Sequence, residues 1–137
     1  MELNILRADP AGNITVFVLD PVEKAQRAAI AEKIMAIPAL KAEQVGYACA
    51  AEDDVDGHME MMGGEFCGNA TRAYGMYIAQ QKGGLSAVKL RVSGCDHAVT
   101  AQVDLRSGTA RAEMPCPRSV KRVTVNEIGR ASCRERV

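Results

Sequence analysis

Apolar residues along the chain fall into short runs that are separated by turn-forming residues, and two longer stretches have helical spacing. The run at 14–19, ITVFVL, is β-branched and apolar, which is typical of a buried strand. The predicted strands are 2–6, 14–19, 44–50, 58–62, 88–92, 98–104 and 109–114, and the predicted helices follow positions 20 and 67. This order, strand–strand–helix–strand–strand–helix and then a meander of strands, predicts an α+β fold with a mixed sheet around one central helix.

The first helix has a clear predicted start. Asp20 can accept backbone N–H bonds as the N-cap, Pro21 suits the first turn, and Glu23 completes a capping box. Isoleucines at helical spacing continue the pattern to about position 37, where Pro38 ends it. The second helix is predicted at about 70–82, after the segment Cys67-Gly68-Asn69 and before two glycines.

Length and composition describe one globular domain. The chain has 137 residues, a formal net charge of zero, 47% hydrophobic and 25% charged residues, which supply a core and argue against disorder. No apolar run approaches about 18 residues, so no membrane span is expected. The balanced charge makes nucleic acid an unexpected partner. No secretory signal is visible at the N-terminus, so we expect a cytoplasmic protein with reduced thiols.

The last ten residues, 128–137, read IGRASCRERV and have no apolar periodicity. Codons that encode this string resemble a widely used sequencing adapter. We therefore expect 128–137 to be a non-native tail, residues 1–127 to form one N-terminal domain, and the gene to continue past about Glu127.

Candidate chemistry concentrates at Cys67, one residue before a Gly-Asn pair that opens the second helix. The first N–H groups of a helix lack intrahelical acceptors and carry partial positive charge, so this end binds a carboxylate and favours a thiolate. Gly68 lets a ligand approach the backbone closely. Cysteine is also among the most often buried residue types, so the local pattern leaves a structural role for Cys67 equally open.

The remaining cysteines have weaker chemical contexts. Cys49 lies in an apolar strand, Cys95 in a turn, and Cys116 between two prolines, so each is expected to be structural. The five cysteines include no Cys-x-x-Cys pair and only two histidines accompany them, so no metal site is predicted.

The segment Cys67-Gly68-Asn69-Ala70-Thr71, together with Pro10-Ala11-Gly12-Asn13 and Glu43-Gln44-Val45-Gly46, resembles the N-terminal half of the diaminopimelate epimerase and proline racemase superfamily. The resemblance extends over positions 1 to about 127. It implies a diaminopimelate-epimerase-like fold, of which this chain is the first of two pseudo-symmetric domains, with a mixed, mostly antiparallel sheet. It also implies an amino-acid racemase or epimerase that uses no pyridoxal phosphate and no other cofactor.

The resemblance further implies roles for particular residues. Cys67 is expected to be one of two catalytic cysteines, and Gly68 and Asn69 to offer N–H groups to the substrate carboxylate. Asn13 and Gln44 are expected to contact the amino-acid substrate. The partner cysteine is expected in the missing C-terminal domain, so the isolated chain should be inactive; a homodimer is a further possible assembly.

Two departures from diaminopimelate epimerases favour a narrower placement. Ile14-Thr15 follow the early Gly-Asn where Asp-Phe is usual, and His58 stands where an Asn is usual, nine residues before Cys67. With Val92-Ser93-Gly94-Cys95 and Met114-Pro115, the chain is more similar to the histidine racemases of opine metallophore biosynthesis. Histidine is then the expected substrate, and His58 is expected to line its pocket. The alternatives are a diaminopimelate epimerase, an isomerase related to phenazine biosynthesis proteins, and a domain that only binds a small ligand.

Overall fold

The computed structural model describes residues 2–124, so the predicted non-native tail at 128–137 lies outside the described residues. Within 2–124 the chain forms seven strands and two helices. In chain order these are β1 (Ile5–Ala8), β2 (Thr15–Val18), α1 (Lys24–Met35), β3 (Gln44–Cys49), β4 (Gly57–Met61), α2 (Gly68–Gln81), β5 (Ala87–Val92), β6 (Val99–Asp104) and β7 (Thr109–Ala112).

All seven strands join one mixed sheet whose spatial order is the chain order. β2 and β3 are parallel and are connected through α1, and β4 and β5 are parallel and are connected through α2. The other four strand pairs are antiparallel. The sheet curls around α2, which packs against β4, β5, β6 and β7. The predicted α+β class with a mostly antiparallel sheet around a central helix is therefore confirmed.

The two faces of the sheet bury two separate clusters of apolar side chains. On the inner face the fully buried ring of Phe17 lies against Tyr74 of α2, with 5.4 Å between ring centroids. On the outer face, Val16 and Val18 join residues of β3 and the buried side of α1. Because side chains alternate along a strand, β2 is covered on both faces, which explains its continuous apolar run.

The helix α2 approaches the inner face closely at Gly75. A Cβ atom at this position would lie 2.7 Å from the Cβ of Ala101 on β6. Only a glycine leaves room for the two backbones here, so this residue sets the depth at which α2, and the segment that precedes it, sit within the sheet.

The predicted cap of α1 is wrong. Glu23 is the N-cap and makes no side-chain cap bond. Asp20 instead accepts N–H bonds from the Asn4 backbone at 2.6 Å and from the Asn4 side chain at 3.2 Å, and these bonds lower the pKa of Asp20. The helix also ends at Met35, earlier than predicted, and Ile37 is 45% exposed.

Among residues 2–124, neither helix has the length and apolar character needed to cross a membrane.

Candidate active site at the start of the second helix

The candidate site lies at the edge of the sheet where β2 and β3 begin and β4 and β5 end. The strand registers create this convergence, because Thr15 pairs with Gln44, Gly46 with Met61, and Met59 with Val92. The loop that follows β4 returns to this edge and leads into Cys67 and α2. Segments that are far apart in the sequence therefore meet around one cysteine.

Cys67 is the N-cap of α2 and is half-buried. Its backbone is extended (φ −131°, ψ 113°), and its sulfur accepts an N–H bond from Ala70 at 3.4 Å. The helix begins at Gly68, two residues earlier than predicted, because Cys67 itself caps it. The N–H groups of Gly68 and Asn69 thus belong to the first turn, where an anion is favoured by the helix dipole.

A second donor reaches the same sulfur from β3. The side-chain nitrogen of Gln44 lies 3.1 Å from Sγ of Cys67 and 2.8 Å from Oγ1 of Thr15. Thr15 is fully buried and is the cross-strand partner of Gln44. The amide of Gln44 therefore bridges a buried hydroxyl and the sulfur, an arrangement suited to holding negative charge on Cys67.

The first turn of α2 makes two further contacts. The side-chain oxygen of Asn69 accepts a hydrogen bond from the guanidinium of Arg72. A Cβ atom at Gly68 would lie 3.1 Å from the sulfur of Met114, so the segment after β7 passes close to the start of the helix. The side-chain oxygen of Asn69 is thus engaged within the helix, and its backbone N–H belongs to the first turn.

Asn13 lies in the turn before β2, at the same edge of the sheet as Cys67. Its N–H donates to the carbonyl of Pro10 at 3.3 Å, and the Asp9 carboxylate accepts the N–H of Gly12 at 2.8 Å. Ala11 and Gly12 both have positive φ in this turn. Asn13 is half-buried and lies two residues before Thr15, so the turn places it beside the strand that supports Gln44.

The structure does not bring His58 to Cys67. His58 pairs with Cys49 across β3 and β4 and lies 3.5 Å from the carboxylate of Glu60, beneath α1. Met59, its neighbour, belongs to the inner cluster around α2. Because successive side chains of a strand point to opposite faces, His58 lies on the outer face and Cys67 on the inner side.

The outer face carries a charged cluster built on Arg27 of α1. Its guanidinium pairs with Glu60 and donates to the sulfur of Cys49 at 3.6 Å. Burial opposes ionisation of Glu60, but the hydrogen bond and charge of Arg27 outweigh it, so the pKa of Glu60 is lowered. Burial and the Glu60 carboxylate raise the pKa of Cys49 more than Arg27 lowers it, which keeps this thiol protonated.

Two groups among the described residues have the side-chain types of metal ligands. Cys49, His58 and Glu60 have ligand atoms within 4.8 Å of one another, but the Arg27 guanidinium already supplies a cation to two of them. The second group is Cys95, Asp96 and His97, in which the last two are exposed. Neither group includes Cys67.

Sequence reasoning missed a pair of residues that holds the loop before Cys67. The hydroxyl of Ser93 donates to the carbonyl of Glu65 at 2.7 Å and accepts the N–H of Met61 at 2.8 Å. A Cβ atom at Gly94 (φ +76°) would lie 2.3 Å from the backbone nitrogen of Phe66. The sequence places these two residues in a turn and in the segment that resembles histidine racemases, but it does not show this contact, because their partners lie in another connection of the fold.

Thr15 was also missed. Its signal is a polar side chain at the start of an otherwise apolar strand, and this signal is faint because threonine has a high strand propensity of its own.

Comparison with known proteins gives a consistent result. A family model described as the histidine racemase CntK N-terminal domain matches residues 2–134. The chain is 33% identical over 134 residues to a histidine racemase of Fusobacterium nucleatum subsp. nucleatum, covering 91% of this chain and 48% of that protein. It is 35% identical over 99 residues to a histidine racemase of Staphylococcus aureus, covering 69% of this chain and 36% of that protein.

A histidine racemase of a second Fusobacterium nucleatum strain is 31% identical over 134 residues, again covering 91% of this chain and 48% of that protein. The chain spans about half the length, or less, of these curated relatives. With a family model that extends over nearly the whole sequence and relatives above 30% identity, the chain belongs to the family of histidine racemase N-terminal domains.

Proposed function

We propose that the protein carrying this domain is a histidine racemase that works without pyridoxal phosphate and uses Cys67 as one of two acid/base groups. The observation that carries the proposal is the sulfur of Cys67 at the N-terminus of α2, where it accepts N–H bonds from Ala70 and Gln44. Relatives named histidine racemase support the choice of substrate.

The start of α2 provides a place for the substrate carboxylate. The N–H groups of Gly68 and Asn69 point out of the first turn, and the helix dipole adds partial positive charge there. When the α-proton leaves, the electron pair of the Cα–H bond delocalises into this carboxylate. The result is an enediolate-like state with more negative charge on oxygen. Fixed N–H donors therefore stabilise the transition state more than the ground state.

Inversion requires one group to remove the proton and another to return it on the opposite face of Cα. In one direction the Cys67 thiolate takes the α-proton and becomes a thiol, while a thiol on the other face gives its proton to Cα and becomes a thiolate. The reverse reaction exchanges the two roles. No oxidant, reductant or covalent intermediate is required.

The second thiol is proposed to belong to the C-terminal domain of the same protein. Cys95 follows β5 in a turn and Cys116 lies in the segment after β7, so neither caps a helix as Cys67 does. Cys49 lies on the outer face. We therefore expect the 137-residue chain alone to be inactive. Asn13 and Gln44 are proposed to hold polar groups of the amino acid, whereas His58 has no role in this proposal.

The test uses the protein extended to the length of its relatives. Incubation of L-histidine in D₂O should give D-histidine by chiral chromatography, with deuterium at Cα, and sodium borohydride treatment should leave the activity intact. LL-diaminopimelate is the competing substrate, and a clear preference for it would replace histidine in the proposal. Inversion of histidine by the 137-residue chain alone, abolished by Cys67→Ala, would show that the second acid is not in another domain.

A further inference from the structure

The fully buried Thr15 and the amide of Gln44 form a chain of contacts that ends on the sulfur of Cys67. The two distances, 2.8 Å and 3.1 Å, both start from the same nitrogen atom. A primary amide nitrogen carries two hydrogens, so one can go to the Thr15 hydroxyl oxygen and the other to the sulfur. We propose that Thr15 is a positioning residue, which holds the Gln44 amide in place so that its N–H supports negative charge on Cys67.

The inference depends on where the amide nitrogen is held relative to the sulfur. If the amide were turned round, its carbonyl oxygen would face the sulfur, and two acceptors would oppose each other whenever the sulfur is anionic. A hydroxyl can accept or donate, so the anionic sulfur selects the N–H orientation, and the contact with Thr15 holds the amide nitrogen within reach of that sulfur. Thr15 can do this reliably because it is fully buried and lies directly opposite Gln44 in the β2–β3 register.

In this proposal Gln44 supports the negative charge on Cys67 in addition to contacting the substrate. Together with the N–H of Ala70 it gives the sulfur two donors before any substrate arrives. A base that is prepared in this way does not have to reorganise its surroundings at the moment of proton transfer, which is the advantage of a preorganised site. The inference rests on the proposed function of Cys67, but its test does not need turnover.

The experiment measures alkylation of Cys67 by iodoacetamide in the 137-residue chain at one neutral pH, with each cysteine followed by peptide mass spectrometry. The exposed Cys116 serves as the internal standard for reagent and pH, and the half-buried Cys49 reports any loss of the fold. Thr15→Val keeps the shape of the side chain and removes the hydroxyl. Thr15→Ser keeps the hydroxyl and removes only the methyl group. Thr100→Val, on β6 four strands away, is the matched control.

Thr15→Val should slow alkylation of Cys67 relative to Cys116 by about threefold. The lost hydrogen bond weakens the support for the reacting sulfur anion by up to about tenfold, and the greater intrinsic nucleophilicity of a less supported sulfur offsets about half of that on a logarithmic scale. Thr15→Ser and Thr100→Val should stay within about 1.5-fold of the unmodified chain, which is the scatter expected for substitutions outside the contact.

A double-mutant cycle decides whether Thr15 acts through Gln44. Gln44→Met keeps the length of the side chain and removes both N–H donors, so in that background Thr15→Val should have no further effect. An equal effect of Thr15→Val with and without Gln44 would overturn the proposal, as would an unchanged rate for Thr15→Val alone. These results are separate from the proposed function, because a failure of the extended protein to invert histidine would leave the alkylation rates as they are.

Discussion

Replacing Gly94 by alanine tests whether the turn after β5 holds the segment that carries Cys67. A Cβ atom at this position would lie 2.3 Å from the Phe66 nitrogen, 2.8 Å from the Glu65 carbonyl carbon and 2.9 Å from the Phe66 Cα. All three are backbone atoms, so no side-chain rotation relieves the overlap. Either the turn or the backbone at 65–66 must move by roughly 1 Å to restore ordinary van der Waals separation.

The size of the effect has two parts. Gly94 has φ +76°, so any alanine there has a conformational cost of about 1–2 kcal/mol. Forcing a methyl group into a filled space adds about 1–3 kcal/mol. Gly108 is the matched control, because its φ is +67° and a Cβ atom added there would meet nothing within 4 Å. Gly108→Ala should therefore show the conformational part alone, and the difference between the two variants is the steric part.

Urea unfolding of the 137-residue chain, followed by circular dichroism and extrapolated to water, gives the two free energies of unfolding. Gly94→Ala should be less stable than Gly108→Ala by about 1–3 kcal/mol. It should also change the alkylation rate of Cys67, since residues 65 and 66 lead directly into that cysteine, whereas Gly108→Ala should not. Equal losses of stability in the two variants, with no change at Cys67, would refute the reasoning.

Substitutions at three positions test separate parts of the molecule. In the extended protein, Cys67→Ala should abolish histidine inversion with an unchanged circular dichroism spectrum and Cys67→Ser should keep only a trace, so near-normal turnover by the alanine variant would remove Cys67 from the mechanism. Glu60→Gln should cost about 1 kcal/mol at neutral pH, because Arg27 loses a charged acceptor. The Glu60 pKa is lowered in the folded chain, so this contribution is present above the ordinary value of 4.5 and is lost as the pH falls through the folded value; a difference from wild type that does not shrink on acidification contradicts it. Phe17→Ala should cost about 3–5 kcal/mol in urea unfolding, because the ring is fully buried against Tyr74, and a loss under about 1 kcal/mol would contradict that packing.

The elements of the fold were predictable because each has a local signal. Apolar runs bounded by glycine, proline and asparagine located all seven strands to within a few residues, and the Gly-Asn pair after Cys67 located the start of α2. The cap of α1 was not predictable in the same way. Asp20 has the right residue type, but Asn4, which is 16 positions away, takes its carboxylate. A local rule cannot weigh a competitor that only the folded chain brings close.

The same distinction between local signals and long-range contacts applies to the candidate site. Cys67, Gly68 and Asn69 are contiguous, so the sequence places them together at one helix end. Their supports come from other strands and turns, and the register of the sheet decides which residues those are. Thr15 meets Gln44 only because β2 and β3 pair in parallel with those residues opposite. Such pairings arise from long-range packing, which hydrophobic periodicity in a single segment does not encode.

The alternation of side chains along β3 and β4 determines which of their reactive side chains lie on the same face of the sheet as Cys67. Gln44 begins β3 on the inner side with Cys67, whereas Cys49, five residues later, lies on the outer face with His58 and Arg27. Five is an odd number of steps, and odd steps along a strand change the face. The sheet therefore stands between the two thiols, and the raised pKa of Cys49 keeps it protonated beside Arg27. Two proton carriers must face one Cα from opposite sides of a single cavity. Cys49 cannot meet that condition, so the proposed mechanism excludes it as the second thiol.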